Sequence, residues 1–242
     1  MNYEPHTIRI RSGENMQQFF NEVRVCTCSV CAYLSLAFTH TNPPTSHFPL
    51  LTQMNPTQKI PVIQDSHGVH DDCDKPITVF ESGACLLYLA ERYGDLIPTD
   101  LRMRYEVIEW TFWGSSELSV QCKLFGFYYK YCTHDLPYCL ERACTKVKRL
   151  LAALELQLTR HGKHFIIGDA YSIADLSAWP WIWALESVYD DCFEKKFNNL
   201  VDYPHVKAWY TRCMERPASK RSLDVCAFQD MTTSGGRVGE SS

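Results

Sequence analysis

The stretch Lys59 to Gly94, KIPVIQDSHGVHDDCDKPITVFESGACLLYLAERYG, constrains the fold more than any other part of the chain. Its apolar run Ile60 to Ile63, with a proline at the second position, predicts a strand. Asp65 to Pro76 is polar and too long for a tight turn, so it reads as an extended loop. The β-branched run Ile77 to Phe80 predicts a second strand. Ser82 to Tyr93 then places Leu86, Leu89, Ala90 and Tyr93 on one helical face, with Gly94 as the stop. Strand, loop, strand and helix in succession describe an α/β layer. Glu81 and Ser82 stand where the second strand passes into the helix. There the free amides of the first turn and the helix dipole favour a small anion.

The 242 residues are enough for one large domain or two small ones with a real core, and 45% of them are hydrophobic. A net charge of −4 with no dense Lys/Arg block leaves no footprint for nucleic acid. No apolar run has the length of a membrane span. Val30 to Phe38 is apolar but begins late and follows Glu14 and Glu22, unlike a secretory signal. The twelve cysteines do not suit a disulfide framework in a chain this long. Cys85, Cys144 and Cys213 fall inside predicted helices, where a free thiol acts as a small hydrophobe. A reduced, cytoplasmic protein is expected.

In chain order, Thr7 to Arg11 alternates like a short strand ending at Ser12-Gly13, and Met16 to Val25 fits helix or strand. Cys28 to Phe38 reads as a buried segment, and Thr41 to Pro49, with three prolines, as a loop. Beyond the Lys59–Gly94 stretch, Asp95 to Thr99 reads as a linker, and everything after it is helical. Helices are predicted over Leu101 to about Glu117, Pro137 to Arg160, Tyr171 to Tyr189 and Pro204 to Glu215. The second of these sets Leu140, Cys144, Val147, Leu151, Leu154 and Leu158 on one face. The expected organisation is a first domain over 1–95, a helical domain over 100–226 and a disordered tail over 227–242.

One local signal is unusually complete. Ser172-Ile-Ala-Asp175 fits a capping box, flanked by Tyr171 and Leu176 at the positions of a hydrophobic staple. From sequence alone, replacing Ser172 or Asp175 with Ala costs on the order of 1 kcal/mol.

Four passages in order resemble the cytosolic glutathione S-transferases: NPTQKIPVI, ITVFESGACLLYLAERYG, YSIADLSAWPWI and YPHVKAWYTRCMERPA. The Phe-Glu-Ser-Gly string and the Trp-Pro-Trp are most similar to the nu-class and fungal prion-related members. The resemblance covers roughly residues 54–226. It implies an α/β thioredoxin-like domain followed by an all-α domain, in a homodimer that uses glutathione as cosubstrate. It further implies that Pro61 is the family's cis-proline, leaving the backbone of Ile60 to pair with the cysteinyl part of glutathione. Glu81 would take the ammonium of the γ-glutamyl end, and Ser82 with the helix amides its carboxylate. Lys59 would lie near the glycyl carboxylate, and Arg142 would reach glutathione in the partner subunit. Aromatics such as Trp110 and Trp113 would line a cleft for a small electrophile or disulfide. Each residue also has a plainer use: an edge-strand proline, a helix-capping Ser82, a solvated Arg142.

The first fifty-odd residues depart from the family pattern. Nu-class members carry a Thr-Pro-Asn string that hydrogen-bonds the glutathione sulfur and favours the thiolate. None occurs here before Lys59, and by chain position Ser12 and Asn15 are the nearest equivalents. Cys28 and Cys31 form a C-x-x-C, the redox signature of a thioredoxin-like corner. Too few residues separate them from Lys59 for the intervening helix, strand and helix. Cys26, Cys28 and Cys31 with His40 or His47 would make a non-standard zinc set, and buried incidental thiols are the plainer reading. Two functions remain open from sequence. One is a glutathione-dependent enzyme of thiol transfer or of disulfide or peroxide reduction; the other is a scaffold of the same fold without turnover.

Overall fold

The computed structural model describes residues 54–57, 59, 61–65, 77–161, 164–189 and 191–225. Ser12, Asn15, the Cys26–Cys28–Cys31 group with His40 and His47, Ile60, most of the loop after Asp65 and the 227–242 tail lie outside them. Strand β1 runs Val62–Asp65 and pairs antiparallel with β2, Ile77–Phe80, matching Val62 to Phe80 and Asp65 to Ile77. Among the described residues pairing starts at Val62, directly after Pro61, which has no N–H to give to a ladder. Helix α1, Ser82–Tyr93, has its predicted bounds, and Gly94 ends it at φ 64 with its N–H on the Ala90 carbonyl. Its buried face is not the predicted one. Gly83, Cys85 and Ala90 are buried, Leu86 and Leu89 are half-buried, and Tyr93 is 58% exposed. Small residues form the seam because α1 is held between the hairpin on one side and two helices of the second half on the other.

Asp100 accepts from the Met103 amide at 2.9 Å and so caps α2, Leu101–Phe112. The expected stop near Glu117 is absent. The chain passes through a π-helical segment, Trp113–Leu118, into α3, Ser119–Gly126, and a second π segment, Phe127–Tyr131. A π-turn moves the hydrogen bonds to the fifth residue back and leaves some carbonyls under-used. Hydroxyls supply the difference. Thr111 donates to the Val107 carbonyl at 2.7 Å, Ser115 to Thr111 at 2.9 Å, Ser116 to Phe112 at 2.7 Å, and Ser119 to Ser115.

Helix α4, Pro137–His161, buries Cys144, Val147, Leu151, Leu154 and Leu158, with Leu140 half-buried at one end of the stripe. Helix α5, Ile173–Ser187, is buried almost all round and packs against α1, α2, α3 and, further on, α6 (Cys192–Phe197) and α7 (Pro204–Glu215). A helix apolar on every side belongs at the centre, and this one does. The chain crosses it closely where side chains are missing. A Cβ on Gly114 would lie 2.2 Å from the Ser177 hydroxyl, and one on Gly126 would lie 2.0 Å from the Tyr189 hydroxyl. The short helices α6 and α8, Pro217–Val225, carry too few turns for their periodicity to be read from sequence.

Both halves of the capping box at Ser172 and Asp175 are formed. Asp175 does far more than cap. Fully buried, it accepts from the Ile166 amide at 3.0 Å, the Ser172 amide at 2.9 Å, the Ser172 hydroxyl at 3.1 Å and the Trp209 indole at 2.8 Å. Burial raises its pKa, while the Ile166 amide, the Trp209 indole and both Ser172 groups pull it down. Removing one partner of such a network strands buried donors, so Asp175→Ala is expected to cost about 3 kcal/mol or more, well above a surface cap. Urea unfolding measures it; a loss under about 1 kcal/mol would show that the donors find other partners.

Candidate functional site

The hairpin register sets the ends of the two strands side by side. With Val62 opposite Phe80, Pro61 immediately precedes the first paired residue of β1 and Glu81 immediately follows the last of β2. Glu81 sits there at φ 73 and ψ 127, a backbone conformation that side-chain-bearing residues avoid. Holding it costs on the order of 1–3 kcal/mol, and such outliers gather at ligand sites. Its carbonyl receives the Cys85 amide at 2.9 Å, while its carboxylate faces solvent.

The strained turn also changes the role of Ser82. Glu81, not Ser82, occupies the N-cap position, so the plain reading of Ser82 as a capping serine is not realised. No side chain caps α1, and its first turn holds no acidic residue. The helix therefore presents its positive end and first-turn amides beside the half-buried Ser82 hydroxyl.

Lys59 is held by a residue that sequence reading did not single out. Asn55 is 1% exposed; its side-chain amide donates to the Lys59 carbonyl at 2.6 Å. Its oxygen accepts from the Thr57 amide at 2.9 Å and the Thr57 hydroxyl at 2.8 Å. The Asn-Pro-Thr string carried that signal, an Asn that folds a turn over its own backbone. The turn delivers an exposed Lys59 two residues ahead of Pro61.

A second unforeseen residue comes from the helical half. Lys123 of α3 is half-buried, its Nζ 5.2 Å from the centroid of the Trp181 ring. Burial lowers its pKa; the like charge of Lys59 lowers it further and the charge of Glu81 raises it. No sequence motif announces Lys123. The Trp110 and Trp113 rings meet at a tilt of 59° with centroids 4.8 Å apart, both half-buried against the helical core. Arg142 is exposed in the second turn of α4.

Cys85 is the thiol nearest to Glu81 along α1. It is 3% exposed and donates to the Val79 carbonyl at 3.4 Å. Burial pushes its pKa up to about 12, and the charge of Glu81 adds to that. A thiol so placed stays protonated and packs the helix on the hairpin. Gly83 fits the opposite side, where a Cβ would meet the Ser115 hydroxyl at 2.9 Å. Among the described residues no group of three His, Cys, Asp or Glu side chains could hold a metal, and no helix is long and apolar enough to cross a membrane. The corner offers a carboxylate, a helix end without a side-chain cap and, on the Asn55 turn, an exposed lysine. Such groups are complementary to a ligand that carries both an ammonium and a carboxylate.

Residues 137–212 match the family model described as "Glutathione S-transferase, C-terminal domain". The chain is 40% identical over 175 residues to the disulfide-bond oxidoreductase YghU of Escherichia coli (strain K12), a match covering 72% of this chain and 57% of that protein. It is 32% identical over 175 residues to the disulfide-bond oxidoreductase YfcG of the same organism, covering 72% of this chain and 76% of that one. Among solved structures it is similar to a glutathione transferase of Burkholderia graminis holding two glutathione molecules per subunit. That pair has 33% identity and a TM-score of 0.67, covering 81% of this chain and 82% of the other.

The placement of Cys85 predicts its reactivity. A soluble alkylating reagent near neutral pH is expected to leave Cys85 unmodified in the native protein and to label it once urea unfolds the chain. Peptide mass spectrometry reads the site; native labelling on the timescale of exposed thiols would contradict a packing role.

Proposed function

We propose, from the premise that this chain belongs to the glutathione S-transferase family and has its fold, a thioredoxin-like domain followed by an all-helical one, that it binds glutathione and uses it to reduce disulfides or to conjugate small electrophiles. The observation that carries this reading is the Glu81 corner. A strained residue directly after β2 places a carboxylate at a helix N-terminus that no side chain caps, at the end of the hairpin where β1 begins. The γ-glutamyl end of glutathione is an ammonium and a carboxylate on one carbon, which this pairing fits. Glu81 takes the ammonium, and Ser82 with the first-turn amides of α1 takes the carboxylate.

The remaining assignments follow the family pattern. The backbone of Ile60, beside Pro61, pairs with the cysteinyl unit, and Lys59 serves the glycyl carboxylate. Ser12 and Asn15 are the candidates to touch the sulfur, and Arg142 reaches over from the partner in a homodimer. A cytoplasmic location suits a protein that works with reduced glutathione. The matched segment spans little more than half of YghU, so the oxidoreductase activity in that protein's name is part of this proposal. In the exchange, the glutathione thiolate attacks one sulfur of a disulfide, the other sulfur leaves with the electron pair and takes a proton, and a second glutathione resolves the mixed disulfide. Cys85, the thiol of this corner, is buried and protonated, so in this reading the protein's part is to orient the peptide and favour its thiolate.

Calorimetric titration tests the site. Glu81→Ala combined with Ser82→Ala is expected to weaken glutathione binding at least about tenfold, the scale of one lost charge-assisted contact. Unchanged affinity in the double variant removes this corner from the reading. Tight binding by the wild type without turnover of a small disulfide selects the scaffold function instead.

A further inference from the structure

The first turn of α1, whose amides are assigned above to the γ-glutamyl carboxylate, rests on the π segment Trp113–Leu118. Gly83 is the second residue of α1 and is buried. A Cβ there would lie 2.9 Å from the Ser115 hydroxyl, 3.6 Å from the Ser115 Cβ and 4.0 Å from the Thr111 methyl. The Ser115 hydroxyl is tied down on its own side. It donates to the Thr111 carbonyl at 2.9 Å, with the Phe112 carbonyl at 3.3 Å, bonds that serve the backbone of the widened turn. Nor can the turn retreat from α1. Gly114, one residue earlier, already lies against α5, where a Cβ would come within 3.1 Å of the Ser177 backbone carbonyl carbon. The Ser177 hydroxyl is itself bonded to the Ala174 carbonyl at 2.8 Å, in the same first turn of α5 that Asp175 anchors. The seat under α1 is therefore rigid, and only a residue without a side chain fits it.

We propose that Gly83 is a positioning residue for glutathione: by docking on Ser115 it sets where the Ser82 hydroxyl and the first-turn amides of α1 stand relative to Glu81. This rests on the glutathione reading and deepens it by naming what aims the binding groups. Bringing a methyl at Gly83 from 2.9 Å to ordinary contact moves α1 by on the order of half an ångström. Glu81 cannot absorb that shift freely. It is joined to β2 on one side, and its φ of 73 already lies where side chains are disfavoured. Charge-assisted hydrogen bonds are short and directional, so a displaced helix end loses part of its hold on a carboxylate. A packing glycine elsewhere in the chain would carry no such consequence. Here the π turn, the strained residue and the helix end without a side-chain cap meet within three residues, Glu81 to Gly83.

The test uses the full chain as wild type, Gly83→Ala, Ser115→Ala and the double variant. Ser115→Ala removes the atom at 2.9 Å and leaves its Cβ at 3.6 Å, an ordinary contact, so the second substitution makes room for the first. Calorimetric titration with glutathione is expected to show binding weakened at least about fivefold in Gly83→Ala and restored to within about twofold of wild type in the double variant. With bis(2-hydroxyethyl) disulfide as substrate, KM for glutathione rises in Gly83→Ala while kcat at saturating glutathione stays within about twofold. A methyl that only loosened the fold would lower the urea midpoint and leave Kd and KM of the folded protein unchanged. The proposal is overturned if folded Gly83→Ala binds glutathione within about twofold of wild type, or if Ser115→Ala fails to restore what Gly83→Ala loses. Should Gly83→Ala not fold, Ser115→Cys crowds the seat from the other side with a larger atom. Weaker glutathione binding is then the expected result, and unchanged affinity overturns the proposal.

Urea unfolding of the same four proteins separates this inference from the glutathione reading. The seat predicts that Gly83→Ala lowers the unfolding midpoint and that Ser115→Ala in the same chain restores most of the loss. A wild type that does not bind glutathione, with that rescue intact, would sink the proposed function and with it the positioning role, leaving Gly83 a docking contact. Glutathione binding that is equally tight in wild type and folded Gly83→Ala would keep the proposed function and remove Gly83 from it.

Discussion

Asp175 is the interaction on which the helical half depends. A carboxylate fully withdrawn from water is tolerable only if its lone pairs are filled, and here four donors from three places fill them. The Ile166 amide belongs to the turn after α4, Ser172 starts α5, and Trp209 comes from α7. One side chain therefore fixes where the central helix begins and which segments lie against its first turn. The next amide, Ile173, donates to the carbonyl of Leu96 at 3.0 Å, in the connection that follows α1. The chain of bonds thus runs from the middle of the helical core to the segment leaving the candidate site. Glu155 of α4 acts in a milder way at the start of α7, accepting from the His205 and Val206 amides at 3.1 and 2.9 Å. In both places a carboxylate satisfies helix amides that would otherwise be orphaned, and docks an element in doing so.

Glycines then set how close the halves come. Gly83 lets α1 rest on Ser115, and Gly114, one residue earlier on the same turn, lets that turn rest on Ser177 of α5. The π segment Trp113–Leu118 is sandwiched between these two contacts. Its widened turn moves Ser115 and Ser119 to positions where their hydroxyls serve the backbone, so close approach does not leave carbonyls stranded. Bulk at either glycine would push α1, and with it the Glu81 corner, away from the helical core. The geometry of the site is in this sense decided by residues with no ligand chemistry of their own.

What the sequence made legible follows from the range of the forces involved. The bounds of β2, α1 and α7, and all but the last residue of α4, were readable because proline, glycine, β-branched runs and apolar periodicity act within a turn or two. The Ser172–Asp175 box was readable for the same reason, but only as a cap. That Asp175 also serves Ile166 and Trp209 depends on contacts far apart in the chain, and so its weight was underestimated. Tyr93 was placed on the buried face because periodicity marks large apolar residues, whereas α1 packs through its small ones. The sequence reading stops the helix from Leu101 near Glu117, whereas tertiary contacts carry it on through a π segment. Glu81, Ser82 and Pro61 stand out by motif, whereas the place of Asn55 comes from its bonds to Thr57 and Lys59. Lys123 carries no motif, since its contact is with Trp181, far from it in sequence.

The corner also shows how the free energy of the fold has been distributed. Glu81 is held in an unfavourable backbone conformation by β2 on one side and a helix on the other, and the Cys85 packing beneath makes that helix hard to shift. The first-turn amides of α1 have no side-chain cap. Each of these features destabilises the chain by itself, and a ligand that engages the corner would offset both. A site arranged in this way binds by relieving what the fold has left unsatisfied. It contains no described group with a reactive pair of electrons near neutral pH. In the glutathione reading proposed above, reactivity enters with the ligand's own sulfur, and the part of these residues is to hold the peptide in place.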